Sequence, residues 1–385
     1  MMEETWQIFS GSKTQSPSKI WDLPPPPPWR AFKQEPGIRS HEYFGYPSVR
    51  KGEETGPEGA SAQSTFAATS YEANDETVAK VNTALYLRRP LLVTGPPGSG
   101  KSTLAEVVAH ELRLGDVLTW AITSRVTLRD GLYRYDPIGR LYSAQENRAP
   151  REPGRLPENI GAHIRLGPLG TALLPFDVPR VLLIDEIDKS DIDLPNDLLT
   201  IFEKGYYEIP ELMRAQTASD RERPHSGTTG EKGAADEDQH VTVMTADGTR
   251  VATIESGRVQ CHAFPLVIMT SNGERTFPPA FIRRCIKLQL DIPRDKDKLG
   301  AIVRNHLELD APTRAHGKSA TGSAELDALI DSFLKKMKKN EQLATDQLLN
   351  AAYMSQSVSG KADEDTRERI TDQIMHSLNE IWEQT

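Results

Sequence analysis

Along the middle of the chain, apolar positions come in short unbroken runs separated by stretches of helical period. "PLLVTG" (90–95), "VLTWAIT" (117–123), Val181–Ile184, "FPLVIMTSN" (264–272) and "RCIKLQLD" (284–291) each read as a strand. Runs this short, with helical patterns such as Lys101–Leu114 between them, predict a parallel sheet covered by helices on both faces. After Pro293 the period turns helical. Leu326, Leu329, Ile330, Phe333, Leu334 and Met337 follow the i, i+3, i+4, i+7 spacing of an amphipathic helix, and "TDQLLNAAYM" and "RERITDQIMHSLNEIW" continue in that style. The chain thus divides into an α/β core at 74–291 and a helical domain at 292–385.

Two stretches stand outside this rhythm. Residues 214–240 are polar and charged with no apolar face, which predicts a mobile loop. They lie between "YYEIPEL" and "HVTVMTADGTRVATIESGRVQ", and the Asp247-Gly248 pair in the latter signals a hairpin. Residues 1–73 have no sustained period. Their "LPPPPPWR" (23–30) cannot be helix or inner strand and predicts a polyproline II rod. With Trp21, Trp29 and Phe32 as anchors beside it, this segment reads as an extended, partly disordered docking strap.

Candidate chemistry starts at "GPPGSGKST" (95–103). It follows a strand, opens a helix and fits G-x-x-x-x-G-K-[ST], the phosphate-binding P-loop pattern. Gly95, Pro96, Pro97, Gly98, Ser99, Gly100, Lys101, Ser102 and Thr103 are the candidate ATP-binding residues. The backbone amides and the helix N-terminus cradle phosphates, Lys101 reaches the terminal ones, and Ser102 ligates Mg²⁺. A second signal is the acidic end of "RVLLIDEIDKSDIDLPNDLLTIF" (180–202). In P-loop proteins a second apolar strand ends in an acid that helps hold Mg²⁺, which assigns Asp185, and Glu186 then activates or orients the attacking water. Asp193 is expected to cap the following helix with Asp197 in its first turn, and Asp188 and Asp191 to face solvent.

Composition narrows the class. A net charge of −9 disfavours a general nucleic-acid binder. Cys261 and Cys285 are too few for a disulfide framework, and the nine histidines show no paired spacing, so no metal beyond magnesium is expected. "MMEETWQIFSGSK" lacks the features of a secretory signal, and no apolar run approaches the ~20 residues of a membrane span, so a cytoplasmic protein without membrane contact is expected.

"GPPGSGKS", "LLIDEID", "IMTSN" and "PPAFIRR", in this order, resemble the motifs of AAA+ ATPases, and "RLGPLGTALLP" (165–175) resembles the MoxR branch. The resemblance covers about residues 75–355. It implies a five-stranded P-loop NTPase core, a helical lid, and a ring, usually hexameric, with ATP at subunit boundaries. It also implies a chaperone-like remodeller of partner proteins, often von Willebrand factor A-type, sometimes in bacterial conflict or stress systems. The alternative is an ATP-gated assembly scaffold or switch. By position, Asn272 matches the residue that holds the attacking water, and Arg284, with Arg283 in reserve, matches the finger given to a neighbour. Tyr133 and Tyr135 fall where such rings face their channel, though their i, i+2 spacing puts one of them in the core. The family's lid arginine falls at Thr345, Asp346 and Gln347, so the lid lacks that cation; Thr345 is expected to cap its helix.

Overall fold

The computed structural model describes residues 6–32, 35–45, 71, 73–146, 160–215, 240–248, 250–307, 321–338, 343–358, 369 and 373–375. The segment expected to be mobile, 214–240, lies outside these residues apart from 214, 215 and 240.

The five apolar runs form one parallel sheet. Strands β1 (Leu91–Thr94), β2 (Leu118–Ala121), β5 (Val181–Asp185), β10 (Leu266–Ser271) and β11 (Ile286–Gln289) lie in the order β11-β1-β10-β5-β2. The inner three are buried almost throughout, as their continuous hydrophobicity requires, whereas edge strand β2 alternates buried and exposed. Alternation still sorts their side chains. Leu91, Val93, Val181, Leu183, Leu266 and Ile268 enter a core with helices Asp75–Leu87 and Thr103–Leu112. Leu92, Leu182, Ile184, Val267 and Met269 point the other way, into a core with the Leu194–Lys204 helix. The period of two along a strand makes two layers from one apolar run.

That second core also carries a six-stranded sheet: β3 (Tyr133–Tyr135), β4 (Ile164–Leu166), β7 (His240–Met244), β8 (Val251–Glu255), β9 (Arg258–Gln260) and β6 (Tyr206–Glu208), neighbours in that order. The hairpin expected around Asp247-Gly248 is β7–β8, antiparallel with His240 opposite Glu255. The segment after β2 and the hairpin join through a parallel β4–β7 contact, a pairing that no local pattern indicated. Tyr133 is the core member of its pair, stacked on Tyr207, while the Tyr135 hydroxyl accepts from Arg140. Helices Lys296–His306, Thr321–Lys338 and Thr345–Val358 share a third core through Leu299, Val303, Ile330, Phe333, Leu348 and Ala351. Among the described residues no helix is long and apolar enough to cross a membrane.

The N-terminal segment corrects the expected anchors. Phe32 is an anchor as expected, stacked on Phe264, but Trp21 and Trp29 point outward, and buried Ile8, Phe9 and Ile20 take their place. Polar side chains of the core receive its backbone: Asn82 Oδ1 accepts from the Ile8 and Phe9 amides, and its Nδ2 donates to Phe9 O. Buried Glu111 accepts from Ser10 and Ser12; burial pushes its carboxyl up in pKa while those donors pull it down. Residues 8–12 belong to no strand, so buried side chains satisfy their amides, whereas Gly37 and Ile38 donate to the Pro175 carbonyl. The tryptophans flank the proline run, whose Pro24 carbonyl accepts from Arg88 and whose last member opens a 3-10 turn, Pro28–Arg30, where an uninterrupted rod was expected.

Candidate functional site

The loop at 95–102 joins β1 to the Thr103–Leu112 helix at the C-terminal end of the parallel sheet. Its tight path needs glycine. Gly98 has φ +74, and a Cβ there would meet the backbone nitrogen of Thr345 at 2.5 Å. At Gly95 a Cβ would meet Leu290 O at 2.0 Å. Lys101 lies buried along the loop, its Nζ donating to Gly95 O (2.9 Å) and Pro96 O (2.8 Å). Burial lowers the pKa of its ammonium, and Asp185, Asp188 and Glu186 oppose that shift.

The acids at the end of β5 meet this loop. Ser102 Oγ donates to Asp185 Oδ1 at 2.8 Å, and Thr270 Oγ1 donates to the same oxygen at 2.6 Å. Thr270 Oγ1 in turn accepts from the Glu186 amide at 2.8 Å. Glu186 holds a left-handed backbone, φ 58 and ψ 48, an uncommon conformation for a side-chain-bearing residue. Its carboxylate accepts from Lys189 Nζ at 2.7 Å. Asn272, half-buried after β10, is positioned through its backbone N–H, which donates to Asp188 Oδ2 at 2.9 Å; the Glu274 backbone N–H shares that oxygen.

Asp188 is therefore not the solvent-facing group expected. It is 4% exposed and ties the turn after β5 to the turn after β10. Asp191 does face solvent. Asp193 occupies the N-cap position of Leu194–Lys204 but makes no side-chain cap bond; its carbonyl takes the Asn196 and Asp197 amides. Its backbone is already helical, which carries the carboxylate away from the amides a cap would serve. Thr345 is likewise inside its helix rather than capping it. Gln347 Oε1 accepts from the Ala344 amide at 2.9 Å, so Gln347 serves the helix terminus. Arg294 and Lys298 supply cations to the lid wall of a cleft of about 510 Å³ running from Gly98–Gly100 to Thr345 and Asp346.

The structure thus brings together Gly95–Thr103, Asp185, Glu186 and Asn272, and leaves Arg283 and Arg284 elsewhere. Arg284 precedes β11 at the opposite end of the sheet, with Nε 2.5 Å from Glu203 Oε1 and Nη1 donating to Ala280 O. Glu203 is the penultimate residue of the helix Leu194–Lys204, whose 11 residues span about 16 Å. Arg283 is exposed, and its carbonyl accepts from Arg89. Thr270 and Asp188 were missed in the sequence. The available signal was polarity inside the apolar run "LVIMTS", because a buried hydroxyl needs partners.

Replacing Thr270 with valine keeps the shape, removes a donor to Asp185 and leaves the Glu186 amide without its acceptor. A loss of about 1–3 kcal/mol is expected in urea denaturation. An unchanged midpoint would show that the Asp185–Thr270–Glu186 relay carries no stability.

A glycine-rich loop between a strand and a helix, facing an acid-ended parallel strand, is the architecture of a P-loop NTPase. Residues 90–285 match the family described as AAA domain (dynein-related subfamily), and the chain belongs to that family. No curated protein matches its sequence. Among solved structures it is similar to the RuvB Holliday junction branch migration motor of Thermotoga maritima, at 15% identity and a TM-score of 0.33 over 74% of this chain and 61% of that one. NtrX from Brucella abortus is similar in its ADP complex (14% identity, TM-score 0.31, 72% of this chain and 48% of that one). Its ATP complex gives 14%, 0.31, 74% and 51%. The chain therefore spans less than two thirds of each of these chains.

Proposed function

We propose that this chain binds ATP with Mg²⁺ in the Gly95–Thr103 loop and hydrolyses it, working as a ring ATPase of the MoxR-like branch that remodels a partner protein. The observation that carries the chemical half is the Ser102–Asp185–Thr270–Glu186 chain of hydrogen bonds at the mouth of the loop. It sets a hydroxyl and two carboxylates beside Lys101, which no simple strand-to-helix turn requires. The donor set suits a hard cation, since Ser102 Oγ and Asp185 Oδ1 offer oxygen only. Magnesium, when bound there by Ser102 and Asp185, neutralises charge on the phosphate oxygens.

This chain's own residues do the rest. The loop amides and the start of the Thr103–Leu112 helix hold phosphate. Lys101 has three donors and spends two on carbonyls, leaving one for a phosphate oxygen. Glu186 takes or orients a proton of the attacking water, with Asn272 as the opposite support. Because Arg284 precedes β11, at the end of the parallel sheet opposite the loop that follows β1, it serves a second copy's phosphate rather than its own. That separation also favours the second reading, an ATP-gated scaffold whose turnover waits on assembly. The remodelling role, a protein partner of von Willebrand factor A type and a place in a bacterial conflict or stress system rest on the resemblance of residues 165–175.

Phosphate release measured against protein concentration, beside mass photometry with and without ATP, tests both. Turnover per chain should rise as the assembly forms. High turnover from the monomer would remove the role of Arg284, and assembly with ATP without any phosphate release would favour the scaffold.

A further inference from the structure

The six-stranded sheet buries one face in the core with the Leu194–Lys204 helix and leaves the other to solvent. Side chains alternate, so Tyr133, Leu166, Val243 and Ala252 point inward while Arg134, Arg165, Met244 and Val251 point outward. The outward residues fall into rows across the strands. In one row His240 stands opposite Glu255, Glu255 opposite Arg258, and Arg258 opposite Glu208, so the charges alternate in sign. The row at the other end of β7 breaks that rule. There Arg134 is paired with Arg165, Arg165 with Met244, and Met244 with Val251. Directly opposed residues hold their Cβ atoms about 5 Å apart, and like charges so placed repel.

The chain's own acids leave this pair uncompensated. Arg134 Nε is 3.9 Å from Asp130 Oδ1, beyond hydrogen-bond reach, and Asp130 Oδ2 takes the Thr127 N–H and hydroxyl. Glu211 is held by Arg129 at 2.7 Å and by the Tyr133 hydroxyl at 2.8 Å. The Arg165 side chain has no hydrogen bond or ion pair among the described residues. Beside the two guanidiniums Met244 is 37% exposed and Val251 53%. Two forks of donors next to an apolar pair fit one carboxylate beside one apolar side chain. A run of phosphates fits less well. Laid along β7, which spans about 14 Å from Met244 to His240, a polyanion would meet Glu255 and Glu208. We propose that this row docks a partner polypeptide through an acidic residue next to an apolar one. Arg134 and Arg165 take the carboxylate, and Met244 and Val251 pack against the apolar side chain. This names the chemistry of the partner and rests on the reading that the chain handles a protein, not on its hydrolysing ATP.

The test follows the fluorescence anisotropy of a dye-labelled peptide, one glutamate flanked by leucines in a neutral serine-glycine sequence, and of its glutamine counterpart. A labelled single-stranded oligothymidine is the third probe. Each is titrated with the full chain, with Arg134→Gln, with Arg165→Gln and with Lys287→Gln, a matched loss of charge at an exposed position of β11. The parent should bind the glutamate peptide about 10-fold tighter than the glutamine one, the worth of a charge-assisted hydrogen bond, and Lys287→Gln should behave as the parent. Either arginine variant should lose most of that preference, because the coupling lies between guanidinium and carboxylate. Arg165→Gln should also unfold in urea at or above the parent's midpoint, since it relieves a repulsion. Absence of saturable peptide binding, equal affinity for the two peptides, or a preference that survives in both arginine variants overturns the proposal. So does a lowered urea midpoint for Arg165→Gln, which would make the arginine structural. Tighter, arginine-dependent binding of the oligothymidine overturns it in favour of nucleic acid. A parent that prefers the glutamate peptide but releases no phosphate from ATP overturns the ATPase reading and upholds this one.

Discussion

Lys101→Ala should lose binding of an ATP analogue by about 10- to 100-fold, while Glu186→Gln should bind as the parent does and lose turnover. The first figure follows from the worth of a charge-assisted hydrogen bond, about 1.5–3 kcal/mol. The Lys101 ammonium is also the group that burial and two loop carbonyls already aim along the P-loop. For Glu186 the expected fall in turnover is about 10²- to 10⁴-fold, the usual contribution of a positioned general base. Glutamine keeps the shape and the amide bond to Thr270, so folding is preserved. Only the contact with Lys189 weakens, and a half-exposed pair of that kind contributes little to stability. Equilibrium binding and single-turnover phosphate release separate the two effects. Parent-level phosphate release from Glu186→Gln would remove it from the chemistry, and full binding by Lys101→Ala would remove the P-loop assignment.

Asp247→Ala should destabilise the fold by about 3–5 kcal/mol, far more than a turn residue would. Arg180 is 0% exposed, and its Nη1 and Nη2 bond the two oxygens of Asp247 at 2.9 Å each. Nη2 also donates to Asp116 O, and the guanidinium lies 4.7 Å from the Phe44 ring centroid and 5.2 Å from that of Phe176. Tyr43 donates its hydroxyl to Asp247 at 3.0 Å, and burial pushes its phenol up to about 12, so it stays a donor at ordinary pH. The strap, the start of β5 and the β7–β8 turn therefore meet at one buried charge pair. Removing the carboxylate strands a buried guanidinium, which is where the large cost arises. The double change Arg180→Met with Asp247→Leu takes away both charges and should recover most of the loss in denaturant titration. A double variant less stable than Asp247→Ala would contradict this account.

The same pair shows where reading the sequence stops. Asp247-Gly248 is a hairpin turn by local chemistry, and the turn is there. That Asp247 also faces Arg180, 67 positions away, follows from no local period. Asp188 and Thr270 belong to the same class, since each takes its meaning from a partner more than 80 positions away in the chain. The anchors of the strap went astray for a related reason. Size suggested the tryptophans, but which part of the strap meets the core depends on where the core offers Asn82 and Glu111 to the amides of residues 8–12.

What the sequence by itself determined was whatever short-range physics encodes. Continuous apolar runs specified buried parallel strands, Gly98 and Gly100 within the 95–103 pattern marked a loop able to turn its amides inward, and Asp185 and Glu186 were marked by their place at a strand end. Tertiary structure alone decided the order β11-β1-β10-β5-β2, the joining of two distant segments through β4 and β7, and the separation of Arg284 from the P-loop of its own chain. Those are pairings between segments far apart in the chain. Many partners satisfy the same local pattern, and only the packing of the whole core selects one.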